Sequence, residues 1–403
     1  MRGPTLWCRS APVVLAALSL ALPPGSAAEP AKGESARSVA GDEVRSTFRP
    51  ERDPLFRHQW NLRAIQVPRA WDISRGAGAT VAVLDTGVAY ESRGRYRRAP
   101  DLAGTRFVAG WDFVDGDSHP NDVPPAGGLR SHGTHMAALI AQTAGNGIGG
   151  AGVAPAAAIM PIRVLKPDRT GSARDIARGL RFAADHGADV ANLSIAGPSP
   201  APALKDAIDY ATRKGVTVVA AAGNDGRSSV SWPAAYPDVI AVGAVNRQLS
   251  RASYSSYGRA LDVVAPGGAG ELLDNGYGPG DGVVAQTLKG GASKFCFCFM
   301  ASTSAAAAQV SGVAALLVGS GGGLTDADVR RRLLEGARDL GESGRDSEHG
   351  AGLVQARRAL SAATAAPAEA ADPPWATLSI AALGVTALAA LLLLARRRRR
   401  RAA

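Results

Sequence analysis

The chain has 403 residues, 20% of them charged and 46% hydrophobic, with 45 Lys and Arg against 35 Asp and Glu for a formal net charge of +10. Three cysteines are too few for a small disulfide-held scaffold, so stability must come from a hydrophobic core, which a chain of this length can bury. Six positive charges form one run, Arg396 to Arg401; taking those six from +10 leaves +4, too little to imply a polyanion such as nucleic acid as a partner.

Residues 1–28 carry Arg2 and Arg9, an apolar run from Ala11 to Leu22, and then Pro-Pro-Gly-Ser-Ala-Ala. Basic start, apolar centre and small residues at the end are the parts of a secretory signal, and Pro23-Pro24-Gly25 would break any helix of the fold there. Residues 29–52 are rich in Ala, Glu, Arg and Ser with little apolar periodicity, and read as a short pro-segment or arm. From Asp53 the character changes, and residues 53–362 read as one large domain.

Thr80 to Leu84 is an unbroken apolar run of the kind expected of a strand buried on both faces, and it ends at Asp85. Similar runs recur at Ala158 to Val164, Asp189 to Ser194, Val216 to Ala222, Val239 to Val245 and Leu261 to Ala265, with helical patterns at His135 to Ala144, Ser172 to His186 and Ala201 to Lys214. Alternation of this kind predicts an α/β fold with a central parallel sheet covered by helices on both faces. Its chemistry should gather at the carboxyl ends of strands, where Asp85 lies.

Cys296 and Cys298 stand two apart, which in a strand puts both on one face; a pair of buried small hydrophobes is the favoured reading, a local disulfide the other. Helices are predicted at Ser304 to Leu317, at Thr325 to Ala337 with Thr325 as N-cap and Asp328 in the first turn, and at Gly352 to Ala362. Residues 363–374 form an Ala, Pro, Glu and Asp spacer. Trp375 to Ala395 carries no charge and, at about 1.5 Å per helical residue, suffices to cross a hydrocarbon core of about 30 Å. Residues 375–395 are therefore expected to be a transmembrane helix, and the Arg-rich tail at 396–403 to stay cytoplasmic, leaving the large domain outside.

The residues that carry chemistry are Asp85 in Asp-Thr-Gly, His132 in Ser-His-Gly-Thr-His, and Ser304 after Thr303. A serine hydroxyl is a weak nucleophile at neutral pH; it needs an imidazole to take its proton and a carboxylate to orient that imidazole. Asp, His, Ser is also the chain order of the subtilisin triad. With Val81 to Val88, Ser131 to His135, Asn192 to Ser199, Ala220 to Asn224, Thr303-Ser304, and the supporting segments Trp232 to Pro237, Leu261 to Gly267 and His349 to Leu353, the chain resembles the subtilisin-like serine proteases, thermitase among them.

That resemblance implies a three-layer subtilisin-like fold and a serine endopeptidase in which Ser304 is the nucleophile, His132 the general base and acid, and Asp85 the orienting carboxylate. It implies Asn224 as an oxyanion donor, with the Ser304 backbone N–H as the second. It makes Asn192, Leu193, Ser194, Ile195, Ala196 and Gly197 a strand edge for peptide, and Ser231 the base of a neutral first specificity pocket. Protein or peptide substrates are expected, and no cofactor is required for the chemistry. Structural Ca2+ is expected at Asp112, Asp115, Asp117 and Asn121, hard oxygen ligands within ten residues that suit that ion, and the resemblance implies a second site at Asp53, Asp101 and Asn146. His135 reads as a structural residue one turn along from His132.

Departures from the family pattern surround the nucleophile. Ser302, Ala305, Ala308 and Gln309 stand where Gly, Met, Pro and His are usual, and Ala138 and Ala196 replace glycines. Ser302 could crowd the acyl group or alter the backbone beside it. Two readings follow: a secreted, membrane-anchored protease, or a catalytically weak subtilisin-fold module that binds peptide without turnover.

Overall fold

The structure is a computed structural model that describes residues 48–269 and 281–362. These fall within one unit, Phe48–Ala403; the other unit, Met1–Thr47, lies outside the described residues, as do the sequence-predicted signal at 1–28, the spacer at 363–374, the transmembrane segment at 375–395 and the tail at 396–403.

In chain order the elements are α1 (Trp60–Ala64), α2 (Val67–Ala70), β1 (Thr80–Asp85), β2 (Arg106–Phe107), β3 (Trp111–Asp112), α3 (Gly133–Ala141), β4 (Ala158–Arg163), α4 (Ala173–Asp185), β5 (Val190–Leu193), α5 (Pro202–Arg213), β6 (Thr217–Ala221), β7 (Ile240–Val245), β8 (Val263–Pro266), β9 (Val283–Leu288), β10 (Phe295–Met300), α6 (Thr303–Val318), α7 (Asp326–Glu335) and α8 (Ala356–Ser361). The six apolar runs of the sequence are β1, β4, β5, β6, β7 and β8. They join, with β2 and β3, into a parallel sheet of order β2, β4, β1, β5, β6, β7, β8, with β3 also paired to β4. Every residue of β1 is buried, because β4 and β5 flank it: Val81 faces Ile159 on one side and Val190 on the other.

β1 is where the winding reverses. The chain leaves β1 through α3 to β4 on one side, whereas β5 leads through α5 to β6 on the other. Such a reversal opens a crevice at the carboxyl ends of the two central strands. α3 and α6 pack together on one face, and α4 and α5 together on the other, giving three layers. α4 shows why its sequence is a surface helix: Ile176, Ala177, Leu180 and Ala183 recur at three- and four-residue spacing and are buried, while Ser172 caps its start by accepting from the Asp175 N–H at 3.0 Å.

α6 is different, buried from Thr303 to Leu317. A helix enclosed on all sides needs short side chains where it crosses strands and other helices, and alanine supplies them with the best intrinsic helix preference. At Gly312 even alanine is too large, since a Cβ there would lie 2.6 Å from the Val153 Cβ.

The sequence signals placed the long elements to within a few residues, and Thr325 with Asp328 forms a reciprocal capping box. Differences are local. Gly352 to Val354 is not helical, because Leu353 bridges to both Val264 and Arg338, and α8 starts only at Ala356. Upstream, packed chain begins before Asp53: the Phe48 ring stands edge-on to Trp71 at 5.2 Å.

The antiparallel pair β9 and β10 went unread. There the favoured reading of the cysteines is corrected, for Cys296 and Cys298 are joined in a disulfide on β10 and are half-buried. Among the described residues β10 pairs only with β9, and side chains two apart on such a strand share a face, here with Cα atoms 5.7 Å apart.

Candidate active site

Asp85 ends β1 and His132 immediately precedes α3, so the crevice at the strand ends brings the two side chains together. His132 Nδ1 lies 2.8 Å from each Asp85 oxygen, and Asp85 is wholly buried. An ionised carboxylate only accepts, so Nδ1 carries the proton and donates, which leaves the Nε2 lone pair as the acceptor. The Thr86 N–H donates to Asp85 Oδ1 at 2.7 Å and holds the acid from behind. Close approach explains Gly133: a Cβ there would lie 2.1 Å from the Gly87 carbonyl oxygen and 3.0 Å from the Asp85 Cβ. From the far side, β9 braces the residue before His132, since the Ser131 N–H donates to the Leu288 carbonyl at 3.0 Å and the Thr287 hydroxyl to the Ser131 carbonyl at 2.8 Å.

Ser304 lies in the first turn of α6, where helical backbone donors have no partner within the helix. Their fates can be followed one by one. The Thr303 N–H goes to Asn224 Oδ1 (2.8 Å), Ala305 N–H to the Ser302 hydroxyl (3.1 Å) and Ala306 N–H to the Ser302 carbonyl (3.4 Å). The Ser304 N–H is the one left without an acceptor among the described residues. The Thr303 hydroxyl also donates to Asn224 Oδ1, at 2.9 Å. Because a backbone N–H can only donate, the accepting atom of Asn224 must be its oxygen, and the amide NH2 is turned away from Thr303 with no acceptor among the described residues. Two donors are thus unspent beside the Ser304 side chain, at the positive end of a helix. The Ser304 hydroxyl itself donates to the Ser194 carbonyl at 3.4 Å, a long bond, and the Ser194 hydroxyl donates back to the Ser304 carbonyl at 3.1 Å.

Ser302 is the N-cap of α6. Its backbone, at φ −170°, is extended, which any residue adopts, and its hydroxyl is engaged with the helix start. Ala196 is likewise outside the left-handed region. Ala305 and Ala308 are enclosed in the core, and Gln309 is fully satisfied: its amide donates to the Pro266 carbonyl (2.6 Å) and the Ala305 carbonyl (3.0 Å), and its oxygen accepts from Asn61 (3.0 Å).

Of the residues expected to form a peptide-binding edge, Asn192 and Leu193 sit inside the sheet, where Asn192 is paired to Val83 and Val219 and Leu193 to Ala220. The Asn192 side chain ties β5 to α6, donating to Ser194 and accepting from Ser311, both at 3.0 Å. Gly197 exchanges backbone bonds with Trp232 at 2.7 and 3.0 Å. What remains exposed for pairing is the backbone of Ile195 and Ala196, whose groups have no hydrogen-bond partner among the described residues. Ser231 is half-buried beside Gly223, with no charged side chain at that contact.

The two acidic clusters differ. Asp112 and Asp115 both accept from Arg163 Nη1, at 2.6 Å for Asp112, so a buried guanidinium already stands where a metal ion would. Asp117 is spent on the His119 N–H (2.7 Å), and the Asn121 amide donates to Glu91 (2.5 Å). Two of the four expected ligands, Asp112 and Asp115, are thus already neutralised by Arg163, while the buried Asn121 Oδ1 has no hydrogen-bond partner among the described residues. Asp101 and Asp53, in contrast, are near each other without an ion-pair partner among the described residues. Burial pushes the Asp101 pKa up to about 7, with Asp53 adding to the rise, and Asp53 is itself raised, chiefly by burial. Asn146 reaches Asp101 Oδ1 at 2.6 Å, and the Gln142 amide and Gly150 N–H reach Oδ2. Asn146 meets Asp101 through its NH2, its oxygen accepting from the Ile148 N–H at 3.0 Å, and the two crowded carboxylates are hard oxygen donors that a divalent cation would relieve. No group of three or more His, Cys, Asp or Glu side chains is arranged to hold a metal among the described residues.

Asp122 was missed by the sequence reading. It is buried, and its carboxylate accepts from the Thr86 hydroxyl (2.9 Å), the Thr134 N–H (2.9 Å) and the Thr134 hydroxyl (2.6 Å). Burial pushes its pKa up to about 6, and Asp85 adds to the rise. Ten positions before His132, in a Pro- and Gly-rich loop, it carries no spacing signal.

The Subtilase family model matches residues 76–352. The chain is 43% identical to "Thermitase" of Thermoactinomyces vulgaris over 216 residues, covering 53% of this chain and 72% of the relative. It is 37% identical to "Subtilisin BL" of Lederbergia lenta over 301 residues, covering 74% and 97%. A solved structure described as proteases from Pseudoalteromonas arctica PAMC 21717 superposes with a TM-score of 0.68 at 33% identity, covering 77% of this chain and 98% of that one.

His135 is fully enclosed on α3, and burial, with the charges of His132 and Arg130, pushes its pKa down from 6.5 to about 3. A histidine that is harder to protonate folded than unfolded contributes its full stabilisation above the unfolded pKa, here 6.5, and loses it as pH falls toward 3. Urea unfolding of Ser304→Ala, chosen to exclude self-digestion, should therefore weaken with acid across that window. Adding His135→Gln should remove a slope of about one proton; an unchanged slope would show that His135 does not take up a proton on unfolding.

Proposed function

The chain belongs to the subtilase family of serine endopeptidases, and from that premise we propose that it cleaves protein or peptide substrates through an acyl-enzyme on Ser304. The observations that carry this reading are the Asp85 to His132 hydrogen bond at 2.8 Å and a helix start whose Ser304 N–H and Asn224 amide are unspent among the described residues. His132 Nε2 takes the Ser304 proton as Oγ attacks the peptide carbonyl, and Asp85 holds the imidazole tautomer and steadies the imidazolium. Charge building on the carbonyl oxygen meets the two donors, and His132 returns the proton to the leaving amine. Peptide backbone pairs with Ile195 and Ala196, and Ser231 borders an uncharged first pocket. The chemistry calls on no cofactor.

The alternative of a non-catalytic scaffold drew on Ser302 and Ala196. Neither has a backbone conformation that glycine alone would take, and Ser302 serves the helix that presents the nucleophile. A fluorophosphonate should label the wild type and leave Ser304→Ala unlabelled, whereas Asn224→Ala should lower kcat by about 10²- to 10³-fold, a magnitude that comes from subtilisin itself. Peptide binding with no labelling of the wild type would favour the scaffold.

Asp53, Asp101 and Asn146 would hold Ca2+, which when bound supplies neutralisation of the two acids rather than chemistry. Loading at a hundred times Kd would stabilise by about 2.7 kcal/mol. Chelation should lower the Tm of the wild type, and Asp101→Asn should remove that sensitivity; an equal Tm loss in both would place the ion elsewhere.

Secretion and anchoring rest on the sequence of residues 1–28 and 375–395, with the Arg run at 396–401 kept cytoplasmic. Among the described residues no helix is long and apolar enough to cross a membrane. Protease added outside intact cells should digest the catalytic domain and spare an epitope on the Arg tail; the reverse pattern would overturn this topology.

A further inference from the structure

The catalytic pair is held by segments that do not touch through the pair alone. His132 precedes α3 and offers no side-chain cap to it, so the first backbone donors of α3 must find partners elsewhere. They find them across the crevice: the Gly133 N–H donates to the Thr86 hydroxyl oxygen (3.0 Å) and the Thr134 N–H to Asp122 (2.9 Å). Thr86 in turn donates through its own N–H to Asp85. The Thr134 hydroxyl oxygen accepts the Ala89 N–H at 3.0 Å, on the loop that leaves β1.

Each threonine hydroxyl in this web has one proton to give. Both must accept a backbone N–H while giving that proton to a group that cannot give one back, and the Asp122 carboxylate, an acceptor only, meets that demand for Thr86 and Thr134 together. We propose that Asp122 is a positioning residue of the active site: its carboxylate sets the direction of the two threonine hydroxyls that lock the Asp85 segment to the start of α3, and so fixes the His132 ring on its carboxylate. The proposal rests on the serine-protease reading above. An amide in this place is nearly isosteric but carries two donor protons, so one hydroxyl must turn its own proton elsewhere and loses the acceptor that steers its lone pair onto Gly133 or Ala89. The backbone on one side of the Asp85 to His132 bond is then free to drift.

A loss of register of this kind slows chemistry without changing the surface that holds substrate. Asp122→Asn should keep KM within about twofold and lower kcat about ten- to a hundredfold, in line with the sensitivity of reacting groups to sub-ångström misplacement. Rates are to be normalised to active sites titrated with a fluorophosphonate, and the acylation rate constant should fall by the same factor as kcat. Thr86→Val, which removes one hydroxyl and leaves Asp122 its two Thr134 donors, should lower kcat in the same sense and serves if Asp122→Asn does not fold. Unchanged kcat per titrated site in either variant, with only a lower Tm, would overturn the proposal by making Asp122 a purely structural acid. A wild type that is never acylated would instead overturn the underlying protease reading.

Discussion

The site depends on two helices that lie against each other and against the same face of one sheet. α3 and α6 must begin at the level where β1 and β5 end, or His132 and Ser304 could not share a crevice with Asp85. That geometry is set by small residues. α6 is enclosed along its length, with alanine at 305–308, 314 and 315 where short side chains let it lie close, and Gly312 marks the point where even a methyl group has no room. Gly133 does the same for α3 against the loop after β1. The alanine run that looks plain in the sequence is therefore a spacing device, and Ser304, the proposed nucleophile, lies in the first turn of the helix it builds.

A second consequence of burying helix starts is that their backbone donors must be assigned individually. At α6 the assignments are Asn224, the Ser302 hydroxyl and the Ser302 carbonyl, and the donor left over is that of Ser304. At α3 they are Thr86 and Asp122. In the proposed mechanism one helix retains an unsatisfied donor where negative charge would develop, and the other spends its donors to hold an imidazole still. The same unpaired groups that every helix must manage become, in one place, a binding element and, in the other, an anchor.

Most of the sheet was legible because its strands are continuous apolar runs separated by helical periodicity, and β1 illustrates why: with a neighbour on each edge and a helix layer on each face, Val81 to Leu84 is apolar throughout, and polar residues stand only at its two ends. Asp85, His132, Ser304 and Asn224 were legible as motifs whose order is distinctive. What was not legible depends on contacts between distant segments. Asp122 has meaning only because its loop folds beneath Thr86 and Thr134. Asn192 and Leu193 belong to a strand paired on both sides, which no local pattern reveals. Ser302 looked like an obstruction beside the nucleophile, yet a serine before a helix is also the commonest kind of cap, and the extended backbone there shows which role prevails.

The acidic clusters illustrate the same limit and lead further. By composition the Asp112 to Asn121 segment is the richer in acids, and it is the one already neutralised, by an arginine contributed from the end of β4. A guanidinium on a central strand is part of the fold at every ion concentration, so that corner of the domain carries its own counter-charge. The Asp53 and Asp101 cluster has no such partner, and its two acids are held toward their protonated forms by burial and by each other. Any dependence of the fold on an external cation is thereby concentrated where the segment around Asp53 meets the loop after α3, with Gly145 and Gly147 donating to Asp53 at 2.6 and 2.9 Å. That loop continues from the helix that follows His132, so neutralising this one cluster would steady the far end of the helix whose near end holds the proposed catalytic base.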